Sequence, residues 1–219
     1  GVALTGEALD MATNDGTTVR INNSLNLSGN LTIGNSGGTT ASGVFFHTTL
    51  TVGGTGHFVF GGSPSNSLHL DDNNVIVTLG PNTTVRGTSG ALSTGYANAS
   101  YVLQGTVQAD VAGGTIAITA NNWLSSGTVR AQNTATLHAS TTPANYSAGA
   151  LNGGSWEAQS GGTLRVALST GVVTNAATIV LDGATSNFYR DNGTNKALTG
   201  LATNSGSLTL ANGHVLVTT

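Results

Sequence analysis

The sequence has no cysteine, only three prolines and very little charge. Charged residues make up 7% of the 219 residues, whereas ordinary soluble domains contain roughly 25%. Without cysteine, the chain can form no disulfide, thiolate metal site or cysteine nucleophile. Its six basic residues are scattered and its net charge is −3, so we expect no basic patch and no nucleic-acid partner.

Long apolar runs are missing as well. No stretch approaches the ~18 consecutive apolar residues of a membrane-spanning helix, so we expect no transmembrane segment. The first residues lack the basic and apolar regions of a signal peptide. What the chain contains instead is 32 glycines, abundant Ser, Thr and Asn, and 38% hydrophobic residues in a regular pattern. This composition predicts a folded β-protein whose surface is solvated by hydroxyl and amide groups.

Short segments in which apolar and polar residues alternate predict β-strands along the chain. Near the start, three triplets place two apolar residues on either side of a polar one, at residues 19–21, 25–27 and 31–33. Three polar residues separate successive triplets, which is typical of tight turns rich in Asn, Gly and Ser. Further along, the repeating unit is a pair of strands joined by a Gly-rich corner, for example 106–109 followed by 115–118.

The first strands of these pairs align with one another at Val107, Val129, Trp156, Ile179 and Leu208. The steps between these positions are 22, 27, 23 and 29 residues. A constant strand spacing with a variable remainder is typical of solenoid coils that carry loops of different length. A glycine that would allow a positive φ or a close approach to the next coil precedes four of the strands, at Gly105, Gly127, Gly154 and Gly206.

The repeat predicts the surroundings of one tryptophan and two asparagine side chains. Trp156 aligns with two aliphatic residues, which favours a place in the core over a place in a binding surface. Asn175 and Asn204 each precede a strand by three residues, and we expect them to pair amide to amide between coils. The alternative is that both are ordinary turn residues.

These features predict an all-β fold, a right-handed parallel β-helix (β-solenoid), with an antiparallel β-sandwich as the alternative. The Asn-Gly pairs that favour hairpins occur at Asn152, Asn192 and Asn212, and only the last lies between two predicted strands. That last pair precedes a strand predicted at residues 214–217. We expect a single solenoid domain over residues 1–219: residues 1–17 form an irregular N-terminal segment and residues 18–219 form the coils.

The second half of the chain, at residues 153–166, 173–181 and 202–210, resembles the passenger regions of bacterial autotransporters and filamentous-haemagglutinin-type adhesins. The first half resembles them in composition. The resemblance implies a right-handed triangular coil, export across a Gram-negative envelope, and a role in adhesion, surface coating or display.

The acidic residues and histidines are dispersed along the sequence. The only adjacent acids begin the turn-like segment Asp71-Asp72-Asn73, which we interpret as a solvated turn, with a weak calcium site as the alternative. No two histidines have metal-ligand spacing, although coil stacking could bring together two of His47, His57 and His69.

Two more interpretations concern the surface. Glu157 and Arg165 occupy polar positions of neighbouring strands and are expected to pair there. In each of the pairs Phe45-Phe46 and 188–189, only one ring can face inward, so the other is expected to be exposed or covered by a loop. We assign no catalytic, cofactor-binding or metal-binding residue, and we expect no cofactor.

The expected function is a non-enzymatic, extracellular structural and adhesive solenoid, a segment or subunit of a bacterial surface fibre that can stack end to end. Its expected partners are copies of itself, adjoining coils of a longer chain, or a host or matrix glycan or protein. The alternative is a secreted glycan-binding or glycan-cleaving β-helix, which would need clustered carboxylates and exposed aromatic rings. We expect contacts first at two loop-like insertions, residues 87–99 and 140–150.

Overall fold

Twenty-five short strands build the described part of the chain, in which no residue is helical. The computed structural model describes the backbone of residues 2–4 and all of residues 9–219. Most strands have only three to five residues, because a glycine or a polar turn soon interrupts the alternation of apolar and polar side chains.

Three parallel sheets contain these strands. In stacking order, sheet A consists of β1 (Val2–Leu4), β4 (Leu25–Leu27), β7 (Leu50–Gly53), β10 (Ile76–Leu79), β13 (Ser100–Leu103) and β16 (Asn122–Ser125). Sheet C consists of β3 (Thr17–Ile21), β6 (Ser42–Phe46), β9 (Ser67–Leu70), β12 (Ser89–Thr94), β15 (Thr115–Ile118), β18 (Thr136–Ala139), β21 (Thr163–Val166) and β23 (Asn187–Arg190).

Sheet B is the longest of the three. It consists of β2 (Leu9–Met11), β5 (Asn30–Ile33), β8 (His57–Phe60), β11 (Thr84–Gly87), β14 (Thr106–Ala109), β17 (Thr128–Ala131), β20 (Ala150–Gln159), β22 (Thr174–Asp182), β24 (Thr203–Asn204) and β25 (Ser207–Ala211). A two-residue strand, β19 (Tyr146–Ser147), pairs antiparallel with β20.

Up to β18 the chain visits sheets A, B and C in turn, and after β18 it alternates between sheets B and C. Strands within a sheet pair in parallel with the strands one coil before and one coil after them. The molecule is therefore a β-solenoid of about eight turns, as the repeat predicts. Within the described residues, antiparallel pairing is confined to β19 with β20 and to the single bridge between Tyr189 and Lys196. The alternative antiparallel sandwich is thereby excluded; the right hand of the coil stays a prediction.

The core is a set of side-chain rows that run along the solenoid axis. One row on sheet B confirms the predicted register, since Val107 pairs with Val129, Val129 with Trp156, Trp156 with Ile179, and Ile179 with Leu208. The indole of Trp156 is fully buried, as predicted, and packs against Trp123 of sheet A at a centroid distance of 6.0 Å.

The glycines before the strands lie against the preceding coil, as expected. A Cβ atom at Gly105, Gly127 or Gly206 would come within 2.0–2.1 Å of a carbonyl oxygen of that coil. Gly154 has a φ of +70°, a conformation that other residues rarely adopt. Gly105 and Gly127 therefore need glycine because of backbone contact at the corner between sheets A and B, and Gly206 because of backbone contact at its position between β24 and β25. Gly154 lies inside β20 and needs glycine because of its φ.

Sheet A ends at β16, where the following loop folds against the open edge. The side chain of Asn145 accepts a hydrogen bond from the Ser125 amide at 2.7 Å and donates to the Ser125 carbonyl at 2.8 Å. The Trp123 indole donates to Thr141, and the Ala144 amide donates to the Trp123 carbonyl at 2.8 Å. These bonds replace the ones that a further sheet A strand would make.

Three sequence-based expectations are wrong. Residues 1–17 are not an irregular segment where they are described, because β1 and β2 pair with β4 and β5 and β3 begins at Thr17. The insertion predicted at 87–99 is not a loop, because it contains β12. The one predicted at 140–150 is a loop apart from β19 and the first residue of β20, and it covers the edge of β16. Residues 214–217 form no strand, since the edge of β23 that they would join already bonds to the chain near Lys196.

Candidate functional site

Ionisable and aromatic side chains gather at two places on the outer face of sheet C. The first is the Asp71 cluster, defined as Arg20, Phe45, His47, His69 and Asp71. Arg20, Phe45 and His69 occupy one outward row, because β3, β6 and β9 pair in register. His47 and Asp71 follow the ends of β6 and β9, so they lie beside the same row.

Asp71 is the centre of this cluster. Its Oδ2 atom lies 3.0 Å from Arg20 Nη1 and 3.3 Å from His47 Nε2, and its Oδ1 atom lies 4.0 Å from His69 Nε2. The Arg20 guanidinium also lies 5.3 Å from the centroid of the Phe45 ring, a cation–π distance. The charge of Asp71 is thus paired with a permanent cation, which disfavours a role as a free base.

The two histidines of the cluster have different environments. Arg20 Nη1 lies 2.6 Å from His47 Nε2, and because a guanidinium only donates, Nε2 is the acceptor of this hydrogen bond. His69 Nδ1 lies 2.9 Å from the hydroxyl of Ser93. Burial lowers the pKa of His69 below its ordinary value of 6.5, and the nearby charge of Asp71 opposes this shift only partly.

A shallow groove of about 190 Å³ lies beside the Asp71 cluster and crosses the first three coils. Its lining is mostly small hydroxyl-bearing and glycine residues, with the Phe45 ring on one side. Gly43 forms part of the floor, where a Cβ atom would lie 2.7 Å from the Phe45 ring. An uncharged, hydroxyl-rich groove beside an aromatic ring has the chemistry of a weak sugar contact.

The second group is the Asp191 cluster, defined as His138, Arg165, Tyr189, Asp191 and Lys196. His138, Arg165 and Tyr189 lie side by side on β18, β21 and β23. The loop after β23 folds over them: Asp191 bonds to His138, and Arg165 Nε donates to the Asp191 carbonyl at 3.1 Å. Lys196 lies 4.8 Å from the centroid of the Tyr189 ring. This cluster holds a loop against the sheet.

A third polar network lies on the outer face of sheet B. Arg86 pairs with Asp110 at 2.9 Å, and Arg130 pairs with Glu157 at 2.7 Å. The predicted pair between Glu157 and Arg165 is therefore wrong: Glu157 bonds to the residue beside it on the same sheet, whereas Arg165 lies on sheet C. Bonds to backbone and neighbouring amides engage these carboxylates too, which is typical of a structural network.

The segment at Asp71 and Asp72 is a turn, as predicted, and its two acids do not act together. Asp71 joins the cluster on sheet C, whereas Asp72 accepts a hydrogen bond from the Asn73 amide at 2.6 Å. Over residues 9–219, no group of three or more His, Asp or Glu side chains could hold a metal ion. The weak calcium site at Asp71, Asp72 and Asn73 therefore has no support in the described residues.

Coil stacking brings together two of the three histidines considered, His47 and His69, which share Asp71. The Arg20 guanidinium is within bonding distance of both His47 Nε2 and Asp71 Oδ2, so a permanent cation already contacts these two groups. His57 belongs to β8 on sheet B and is separate from them.

The aromatic predictions agree with the structure. Phe46 and Phe188 are buried, whereas Phe45 and Tyr189 remain partly exposed beside the two clusters. The predicted amide pair is also present: Asn175 Nδ2 donates to Asn204 Oδ1 at 2.7 Å, and Asn175 is fully buried.

Sequence reasoning did not identify Arg20, His138 or Asp191 as neighbours of the groups they contact. The spacing of one coil could have identified the first cluster. Arg20, Phe45 and His69 are 25 and 24 residues apart, about one coil each, and they face outward on successive strands. Without the register of the first coils, this spacing cannot be distinguished from chance.

The clusters are poorly placed for hydrolysis by a pair of carboxylates. Asp71 directly follows β9, whereas Asp191 bonds to His138 on β18. In sheet C, β9 and β18 are three strand spacings apart, or about 14 Å. Glycosidases hold their two carboxyl groups about 5–10 Å apart. Asp71 and Asp191 therefore cannot act on one glycosidic bond.

Comparisons of the chain with protein-family models, curated proteins and solved structures found no match. Within the described residues, no helix has the length and apolar character needed to cross a membrane.

Proposed function

We propose that this chain is a non-enzymatic structural and adhesive solenoid, a rod-shaped segment of a bacterial surface or extracellular protein. The observation that carries the proposal is the unbroken stacking of sheets B and C through the described coils. Eight strand layers at ~4.8 Å give a rod about 40 Å long, stiffened by backbone hydrogen bonds between every coil. Such a rod holds its loops at fixed positions along one axis.

The chemistry of the surface supports the same function. Many of its few charges lie in three networks, centred on Asp71, Asp191 and the Arg130–Glu157 pair, and others bond to backbone groups. The placement outside a Gram-negative cell rests on the resemblance to autotransporter passenger regions and on the low charge of the chain.

The proposal is tested by attachment and by catalysis. Beads coated with the chain should adhere to host cells or matrix more than beads coated with an unrelated β-solenoid of equal charge. Incubation with acidic and neutral polysaccharides should yield no new reducing ends and no unsaturated products. Turnover that disappears on Asp71→Asn or Asp191→Asn substitution would contradict the non-enzymatic function, and adhesion equal to that of the control would contradict the adhesive one.

The groove beside Phe45 favours a second candidate, glycan binding without cleavage. The partly exposed ring and the hydroxyl groups of three coils offer stacking and hydrogen bonding to a neutral sugar. On a glycan array, Phe45→Ala should lose binding, whereas Tyr96→Ala, which removes an exposed aromatic ring away from the groove, should retain it. Equal binding by the two variants would rule out this groove.

A further inference from the structure

The last coil presents an open strand edge. One edge of β25 pairs with β22, and within the described residues the other edge has no partner strand. Leu208 and Leu210 extend the core rows that contain Ile179 and Leu181. Leu210 is 41% exposed, because no coil covers it.

The C-terminal segment covers the end of the core only in part. Leu216 packs against the core, whereas Val215 and Val217 point outward and are 75% and 67% exposed. Leu210 lies on the unpaired strand itself and remains exposed there. An exposed apolar side chain on an unpaired edge favours association with another strand.

Sheet C is closed at the same end. The chain turns back after β23, and the Arg190 amide donates to the Asn195 carbonyl at 2.8 Å while the Ala197 amide donates to the Phe188 carbonyl at 2.9 Å. This antiparallel return occupies the free edge of β23. Among the described strands at this end of the stack, β25 of sheet B therefore offers the edge for a further parallel strand.

The first coil offers a strand that fits this edge. One edge of β2 pairs with β5, and no strand pairs with the other edge in the described residues. Its sequence Leu9-Asp10-Met11 has the same order of apolar, polar and apolar residues as 208–210. Leu9 and Met11 start the core rows that continue on β5, so both strands carry the same two rows at the same spacing.

We propose that β25 of one copy of this chain pairs in parallel with β2 of a second copy, with Leu208, Thr209 and Leu210 opposite Leu9, Asp10 and Met11. The core rows then continue from one molecule into the next, and the partner coil covers Leu210. Because the two contacting surfaces differ, the contact repeats head to tail and builds a filament. This inference rests on the proposed function as a structural rod.

Disulfide trapping tests the register, since the chain has no cysteine of its own. Thr209 and Asp10 are both exposed and would become neighbours at ~4.8 Å between Cα atoms, within the disulfide range of about 4.4–6.8 Å. A mixture of Thr209→Cys and Asp10→Cys proteins should form a covalent heterodimer on mild oxidation. As control, the Thr209→Cys protein is mixed with a Thr32→Cys protein. Thr32 lies on β5, which pairs with a strand on both edges and therefore cannot pair with β25 of another copy.

We expect the matched mixture to give at least about tenfold more heterodimer than the control mixture. Covalent Thr209→Cys homodimers in equal or greater yield would overturn the proposal in favour of a tail-to-tail contact. Monodisperse monomers in light scattering, with no covalent product, would overturn it as well. Monomeric rods in electron micrographs would contradict the interface and leave the rod-like function intact, whereas polysaccharide turnover would contradict that function and leave the interface intact.

A charge on the open edge provides a second test. Leu210→Lys should keep the protein monomeric at concentrations where the unmodified chain associates, because a lysine on an edge strand opposes pairing. Val173→Lys is the matched control, since Val173 is 39% exposed but does not lie on β25. Equal association of the two variants would overturn the proposed edge.

Discussion

The coils up to residue 139 and the coils after it differ in how they cover the core and pair their backbone groups. In the first region every coil contributes a strand to all three sheets, and stacked apolar rows fill the interior. In the second region sheet A is absent, and single polar side chains, such as Asn145 and Tyr146, take over its bonds. A three-sided coil needs few specific contacts, whereas a coil that loses one side needs other partners for the freed backbone groups, from side chains and from the backbone of the loop.

The region with the clearer repeat in sequence is the less regular one in structure. Its strands β20 and β22 have ten and nine residues, and the sequence repeat is recognisable in the part of each strand around Trp156 and Ile179. The strands of the first region are three to six residues long and contain several glycines, so their spacing is hidden by composition. A regular sequence repeat therefore does not show whether a coil has a strand in all three sheets.

The largest expected effect tests whether apolar rows stabilise the first region. Phe58 is fully buried between Leu31 and Val85 in its row, and Phe58→Ala should cost about 3–5 kcal/mol of unfolding free energy. Leu208→Ala should cost less, because Leu208 ends its row and is only partly buried. Guanidinium unfolding midpoints measure both. An equal cost at the two positions would remove the distinction between an interior and a terminal row position.

The next prediction concerns the bonds at the boundary of the two regions. Asn145→Ala removes both bonds to the buried Ser125 backbone and should cost about 1–3 kcal/mol. Hydrogen exchange should accelerate in residues 140–159 and stay slow in residues 17–103. The control is Asn73→Ala, in an exposed turn. Accelerated exchange throughout both ranges would show that the two regions unfold as one unit.

Replacing a tyrosine by phenylalanine should raise the unfolding free energy in the first region and lower it in the second. In the first, the buried Tyr101 hydroxyl has no hydrogen-bond partner among the described residues, and burial raises the pKa of that phenol well above 10.0. Tyr101→Phe should therefore stabilise the protein by about 1 kcal/mol. In the second, Tyr146 donates to the Gly171 carbonyl at 2.8 Å, and Tyr146→Phe should cost about 1 kcal/mol. Thermal unfolding of the two variants gives both signs, and a common sign would contradict the comparison.

The smallest expected effect is a pH dependence located in the first region. Because the pKa of His69 is lowered on folding, the unfolded chain binds this proton more readily, and stability decreases as the pH falls through the window just below 6.5. The groups that face His69 are Asp71 and, beyond it, Arg20 and His47. His69→Gln should flatten the stability profile in this window, as followed by urea unfolding between pH 5 and 8. An unchanged slope would exclude His69 as its source.

Much of the fold could be predicted because the solenoid is built from local repeats. The alignment of Val107, Val129 and Trp156 is the observed register, because a shift by one residue would turn the apolar side chains of a strand away from the core. The amide pair of Asn175 and Asn204 follows from the same register. Sheet A was harder to recognise, because β13 and β16 lie only a few residues before the strands of sheet B and resemble parts of the turns.

The remaining features depend on contacts between distant coils. Residues 214–217 alternate like a strand, yet another segment already occupies the edge they would need. The Asp71 cluster joins side chains from three coils, and loops of unequal length set which residues meet. A local sequence pattern does not show which of two segments pairs with a strand edge, nor how many residues form the turn between two strands.

The strict translation of one coil onto the next makes the protein a molecular ruler. Each residue of β14 pairs with the residue 22 positions later in β17, so removing residues 106–127 would join Gly105 to Thr128 with the same kind of corner. The rod would shorten by one strand spacing, about 4.8 Å, without a change in the pairing on either side. A gene that duplicates or deletes whole coils can therefore set how far a loop stands from its anchor without having to redesign the fold.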